Sequence, residues 1–330
     1  MKLINKLKYD WYRYKWNNPK LFLGKYPLHV DIEVSSVCNA KCGFCPHSDE
    51  KVDFEKSYMS LNMFKDIIDE IEGNVPAIKL NLRGEPTLHR EFIQMLDYVK
   101  GKFIDVRINT NGFLNHIPTI NKIVDVCDNI SISVNSYNNK SFCSEFGLKH
   151  TNFPHPKYVQ QKKNINLFIE LIEIKNLTIQ KQDTKLTLSY VDNGTHGNKM
   201  IGEAVFMKKT LDKNIVNIFY RKAFDRTRPD VAITTDGHTS VTTTQIGRSR
   251  KDCLMPLKRL SIASNGDVYP CCVMWHKPFI LLADFKKNTI WEIWNSDQIH
   301  DIRKELANIR WTEYSKHPAC MNCGSSESYN

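Results

Sequence analysis

Cys38-Asn-Ala-Lys-Cys42-Gly-Phe-Cys45 places three thiols in eight residues at x3 and x2 spacing. No other feature of the chain narrows its fold and chemistry as far. A 4Fe–4S cluster that only carries electrons takes four protein ligands. Three thiolates from one loop leave one iron open to a small molecule. A zinc knot is the alternative; it wants a fourth Cys or His in tetrahedral geometry, and His47 could supply one. The run before the triad, LHVDIEV (28–34), reads as a strand, so the cysteines follow a strand end.

The surroundings favour a metal over disulfides. No stretch approaches the roughly 20 apolar residues of a membrane span, and MKLINKLKYDWYRYKW lacks the apolar core of a secretory signal. The chain is therefore expected in the cytoplasm with no membrane partner, where closely spaced cysteines point to metal or redox sites. Seven Lys/Arg and one Asp in the first 26 residues carry much of the net charge of +10. No RNA-recognition signature, zinc-finger spacing or basic heptad accompanies them. A solvated, sticky N-terminal helix is expected, nucleic acid is not, and a basic face would suit an acidic electron carrier.

From residue 28 to about 191 short β-rich runs alternate with helical patterns. AIKLNL (77–82), FIDVRIN (103–109), NISISV (129–134) and LTLSYV (186–191) read as strands, with IVNIFY (215–220) a sixth. Ser60 reads as a helix N-cap ahead of a face of Met63, Phe64, Ile67, Ile68 and Ile71. Residues 137–158 read as a long loop, and 234–250 as a loop able to cover the site. Strand–loop–helix units of this length imply parallel strands with right-handed crossovers. Such folds place active sites at the C-terminal strand ends.

C-x3-C-x2-C with an aromatic, Phe44, before the last cysteine resembles the signature of the radical S-adenosylmethionine (SAM) superfamily. The resemblance runs on through Gly84-Glu85-Pro86, which looks like the family's Gly-Gly-Glu loop with Arg83 in place of the first glycine. It implies a partial (β/α)6 barrel, a SAM-binding 4Fe–4S cluster on Cys38, Cys42 and Cys45, and Glu85 receiving the SAM amino group. Asn111 in Thr110-Asn111-Gly112 matches a recurrent loop on the SAM side. Ser133 and Asn135 stand where relatives carry a Ser-x-Asp pair that contacts the SAM carboxylate or ribose.

A second cysteine set follows. Cys253 precedes LMPLKRLSIASNGDVYPCC, where Asn265-Gly266 is a strong hairpin turn, and Cys320-Met-Asn-Cys323 lies near the C-terminus. TIWEIWNSDQIHDIRKEL (289–306) reads as one helix burying Trp291, Trp294 and Ile302. Hairpin, helix and C-x2-C resemble the small α+β twitch form of the SPASM domain, which implies one auxiliary 4Fe–4S cluster on Cys253, Cys271, Cys320 and Cys323. Cys272 could replace Cys271, and a structural zinc on the same thiols is the alternative. Cys127 and Cys143 receive no role. The organisation is thus an extension (1–27), a barrel (28–252) and a cluster domain (253–330).

These resemblances imply reductive cleavage of SAM to a 5′-deoxyadenosyl radical, with an electron donor such as flavodoxin or ferredoxin. The Cys253-x17-Cys271 spacing is similar to that of an aminoglycoside-biosynthesis dehydrogenase acting on an amino-cyclitol. Oxidation of a small polar or carbohydrate-like substrate is therefore expected. Peptide modification, by thioether formation or epimerisation, is the alternative; 27 residues before the first strand are too few for a leader-peptide-binding domain. A zinc protein that binds nucleic acid is the distant third reading.

Overall fold

The computed structural model describes residues 2–43, 45–48, 55–150, 153–178, 184–192, 198–212, 214–222, 231–233, 239–241, 253–272 and 280–307. Six parallel strands come first: β1 (His29–Ile32), β2 (Ala77–Lys79), β3 (Asp105–Thr110), β4 (Asn129–Ser133), β5 (Lys185–Asp192) and β6 (Val216–Lys222). Between them run α2 (Leu61–Ile71), α3 (Phe92–Val99), α4 (Ile117–Val126), α5 (Asn139–Glu145), α6 (Pro156–Thr178) and α7 (Asn198–Thr210), after an N-terminal α1 (Lys2–Asn17). Among the described residues, β7 (Val231–Ile233) and β8 (Thr239–Val241) pair with each other and not with the larger sheet.

β9 (Arg259–Ile262) lies parallel to β1 on the side away from β2. β10 (Asp267–Tyr269) pairs antiparallel with β9, and β11 (Ala283–Asp284) antiparallel with β10, giving one nine-stranded sheet. The hairpin expected around Asn265-Gly266 therefore extends the barrel sheet itself. Gly266 makes the turn with φ +99, a conformation side-chain-bearing residues avoid. The expected single helix breaks at Asn295 and Ser296 into α8 (Ile290–Trp294) and α9 (Asp297–Ala307). Trp294 and Ile302 are buried, but Trp291 is 47% exposed, contrary to its expected core place.

Each sheet face has its own chemistry. Val30, Ile78, Val106, Ile130 and Leu186 pack with Phe64, Ile67, Leu96, Ile120 and Phe168 of the helices in one apolar core. Ser60 caps α2 as its sequence indicates, accepting from Met63 N. The opposite, inner face is polar. Strand register lays Ser261, Asp31, Lys79, Arg107, Asn129 and Lys185 in one row across six strands. Arg259 donates to Asp31 at 3.1 Å, Asn129 to Asp105 at 2.6 Å, and Arg107 pairs with Asp105. Buried charges persist only when paired in this way.

α1 is not the solvated helix expected. Tyr9, Tyr12 and Trp16 turn inward and pack with Leu28 and Ala77 at the strand starts. The Trp16 ring stands edge-on to His29 at 5.7 Å, with Lys258 and Arg259 over its face. The helix covers the inner face at the end opposite the site.

Candidate functional site at the strand C-termini

The chain leaving β1 reaches Cys38 through Ser35, Ser36 and Val37. Ser36 Oγ accepts from Ser57 N at 2.7 Å, and Val37 O accepts from Glu85 N at 2.8 Å. Gly84 makes this approach possible. A Cβ there would lie 2.6 Å from both the Ser36 carbonyl carbon and the Val37 oxygen, so a side chain would push the two loops apart.

Beyond Cys38 the loop is fixed from a second side. Lys41 N donates to Phe146 O, just past α5. Gly147, at φ +61, lets Lys41 approach to within 2.8 Å of where a Cβ would sit. Cys38 and Cys42 pack against Ala40, Phe113, Phe142, Cys143 and Phe146. Cys45 N donates to Cys42 O, so the last two thiols share one turn. The span expected to be a loop thus carries α5, started by a capping box between Asn138 and Ser141.

Burial pushes the Cys38 thiol up to about 11, with Glu85 and Cys45 adding to the shift. Burial, then Cys45 and Cys38, raises Cys42 well above the ordinary thiol range. The three thiols thus share an electrostatic environment. Among the described residues no three Cys, His, Asp or Glu side chains close on a common metal-binding centre. The donor set still fits an iron–sulfur cluster: three thiols in one loop, two of them, Cys38 and Cys42, against an apolar cluster, with release of their protons on binding. His47, the possible zinc ligand, instead places Nε2 2.8 Å from Ser36 O. Phe44 lies outside the described residues.

Glu85 gathers the neighbouring loops. Its Oε1 accepts from Thr87 N, Thr87 Oγ1 and Thr110 Oγ1, and its Oε2 from Asn111 N at 2.7 Å. Burial raises its pKa, opposed by these donors. One lone pair on Oε2 has no donor from these four bonds. Asn111 donates through Nδ2 to Asn39 Oδ1 at 2.7 Å, tying the Thr-Asn-Gly loop to the cysteine loop. Gln161 of α6 donates to the carbonyls of Asn111 and Ser133. Asn135 stands at φ 47, and its Oδ1 accepts from Val191 N at 2.8 Å. Its side chain thus fastens β4 to β5, and asparagine tolerates that backbone.

Sequence reasoning passed over one hub. Glu33, fully buried, accepts from Arg83 Nε at 2.6 Å, Arg83 Nη2 at 2.5 Å and Arg83 N at 3.0 Å. Ser264 N and Oγ, one residue before the hairpin turn, donate to the same carboxylate. Arg83, the departure from Gly-Gly-Glu, therefore ties β1, the Gly-Glu-Pro loop and the hairpin at one point. The polar alternation of His29, Asp31 and Glu33 was the available signal. A cleft of about 700 Å³ opens beside this junction, lined by Tyr58, Ser60, Met63, Ser264 and Asn265 and by no cysteine.

In the second set, Cys253, Cys271 and Cys272 all adjoin one small apolar cluster with Ala263, Tyr269, Ile302 and Leu306. Cys320 and Cys323 lie outside the described residues. So does most of the expected covering loop at 234–250.

Comparison with known proteins accords with this arrangement. Residues 32–184 match the family described as the radical SAM superfamily, and residues 253–324 the SPASM iron–sulfur cluster-binding domain. The chain carries a radical SAM domain and a SPASM-type domain. These domains imply a 4Fe–4S cluster with SAM, and auxiliary iron–sulfur binding. An S-adenosylmethionine-dependent nucleotide dehydratase of Selenomonas ruminantium is 32% identical over 34% of this chain and 40% of its own. The mycofactocin maturase MftC of Mycolicibacterium smegmatis is 33% identical over 26% of this chain and 21% of its own. The chain thus matches less than half the length of these curated relatives.

Among solved structures, BtrN in complex with AdoMet and 2-DOIA aligns at TM-score 0.54 and 15% identity, covering 92% of this chain and 96% of that one. SuiB of Streptococcus suis bound to its precursor peptide SuiA aligns at 0.62 and 16%, covering 95% and 72%. Both likenesses concern the fold.

Proposed function

We propose that this chain is a radical SAM enzyme that oxidises a small polar or carbohydrate-like substrate. In this reading Cys38, Cys42 and Cys45 hold the SAM cluster, and Cys253, Cys271, Cys320 and Cys323 an auxiliary one. Loaded there, the first cluster with SAM would supply radical chemistry able to remove a hydrogen atom from substrate, the second would accept the remaining electron, and a proton would pass to solvent, balancing a two-electron oxidation.

The chain's own part is to bind, orient and exclude water. The remaining lone pair of Glu85 Oε2 offers an ammonium a charge-assisted bond. Gly84 keeps the loop flush against the approach to Cys38. Asn111, Ser133 and Asn135 would flank SAM at the ends of β3 and β4, with Gln161 fixing the Asn111 and Ser133 carbonyls it binds. Phe113, Phe142 and Phe146 keep water from the cysteine loop. Phe44 completes the motif.

The observation that carries the substrate class is the inner sheet face. Toward the strand C-termini it carries Asn109, Ser131 and Thr187 side by side in register, suited to hydroxyl groups rather than an apolar side chain. The fold likeness to BtrN, over nearly the full length of both chains, supports the same reading. A second reading, peptide modification, is favoured by the identity to MftC and the fold likeness to SuiB. An electron donor of flavodoxin or ferredoxin type and a cytoplasmic location complete the proposal.

The test is anaerobic turnover of reconstituted protein with panels of amino-cyclitols, polyols and short peptides, scored by 5′-deoxyadenosine release. Stimulation by a cyclitol or polyol, with a product two mass units lighter, is expected. Stimulation by peptides alone would replace this reading with the second.

A further inference from the structure

α1 has two faces, and the barrel uses one. Tyr9, Tyr12 and Trp16 are turned inward, whereas Leu7, Trp11 and Tyr14, at i, i+4 and i+7, form a stripe on the outer side. These three are 59%, 51% and 50% exposed. The stripe continues past the helix, where Phe22 packs on Trp11 and Tyr14 at 5.4 and 5.6 Å. Leu21 and Leu23 stand beside it, 72% and 43% exposed. Isolated exposed apolar residues need no explanation, but a contiguous patch does.

The rim of the patch is cationic. Lys8 and Lys15 border the stripe on one side of the helix, and Lys6 and Arg13 lie beyond Asp10 on the other. Lys15 holds its ammonium 5.1 Å over the Trp11 ring. Lys25 adds charge past the helix, and Asp10 is the one acid among residues 1–26. Trp, Tyr and Leu flanked by Lys and Arg is the composition of a helix that lies in a bilayer interface. No described helix could cross a membrane, so the contact would be peripheral.

We propose that this face docks the protein on an anionic lipid surface. Trp11, Leu7, Tyr14 and Leu21 enter the interface, and the flanking Lys and Arg meet the headgroups. An acidic protein would suit the charge but not the run of aliphatic side chains standing outward. Because α1 covers the strand starts, docking leaves the cysteine loop and the other strand C-termini at the end away from the lipid. The proposal goes beyond the sequence, from which no membrane partner is expected.

The test is co-sedimentation with vesicles of phosphatidylcholine alone and of phosphatidylcholine mixed with phosphatidylglycerol. The protein is expected to bind the mixed vesicles only. Raising salt from about 0.1 M to about 1 M shortens the Debye length from about 10 Å to about 3 Å and should weaken binding roughly tenfold or more. Leu7→Ser/Trp11→Ser/Tyr14→Ser should lose binding while keeping its circular dichroism, since Tyr12 and Trp16 remain. Lys6→Gln/Lys8→Gln/Lys15→Gln, a change confined to the helix surface, guards against misfolding of the first variant and should lose the preference for anionic vesicles. Brominated lipid should quench tryptophan emission in the wild type and much less in Trp11→Phe. No binding to mixed vesicles at low salt, or equal binding by the folded apolar variant, overturns the proposal. Capture of an acidic electron carrier by this face without vesicle binding also overturns it and assigns the face to a protein.

Discussion

Replacing Arg83 with alanine tests whether the Glu33 hub holds the site together. The wild-type Glu33 carboxylate receives five bonds, and Arg83→Ala removes the two from the guanidinium. Breaking a buried pair from one side costs about 3–5 kcal/mol, because the remaining charge stays desolvated. Three donors survive, two from Ser264 and one from the residue 83 backbone, so the expectation lies near about 3 kcal/mol. The Arg83→Ala/Glu33→Gln pair should recover roughly 1–2 kcal/mol of that by deleting the stranded charge. Urea unfolding of all four cycle members gives the coupling. Amide exchange gives its location: protection should fall together at residues 35–37, 84–87 and 263–266. A cost below about 1 kcal/mol, with exchange unchanged in all three segments, would refute the reasoning.

Three further outcomes follow from other parts of the structure. Burial lowers His29 to about 4, so between an unfolded pKa near 6.5 and that value the unfolded chain binds the extra proton; stability should fall with pH across this window by up to about 3 kcal/mol, and His29→Phe should flatten the slope in pH-dependent urea melts. Gly84→Ala forces a Cβ against Ser36 and Val37, and should cost roughly 1–3 kcal/mol and weaken SAM binding in equilibrium dialysis. Cys271→Ser should remove the auxiliary iron while Cys272→Ser retains it; the reverse result would reassign the ligand.

Legibility in the sequence followed locality. The face of Phe64, Ile67, Ile68 and Ile71 and the Ser60 cap were readable because each lies within three turns of one helix. α5 was hidden by its brevity and by a capping box closed by Ser141 rather than Glu or Gln. The break at Asn295 and Ser296 was hidden because apolar periodicity continues across it. Among the site residues, motif spacing marked Gly84, Glu85 and Asn111. It carried no sign that Glu85 spends most of its acceptor capacity on Thr87, Thr110 and Asn111. Arg83 and Glu33 are 50 positions apart, and only strand register and the loop's path bring them together. The packing of Tyr12 and Trp16 against Leu28 and Ala77 likewise joins segments far apart in the chain, which no local pattern announces.

In the proposed function Cys38, Cys42 and Cys45 hold a cluster that cleaves SAM. This assignment is tested by assaying anaerobically reconstituted protein, beside the Cys38→Ala/Cys42→Ala/Cys45→Ala variant, for bound iron and sulfide and for 5′-deoxyadenosine formed with SAM and dithionite. About eight irons are expected in the wild type, about four in the variant, and nucleoside from the wild type alone. Equal iron in both proteins, or zinc in place of iron with no nucleoside, would contradict it.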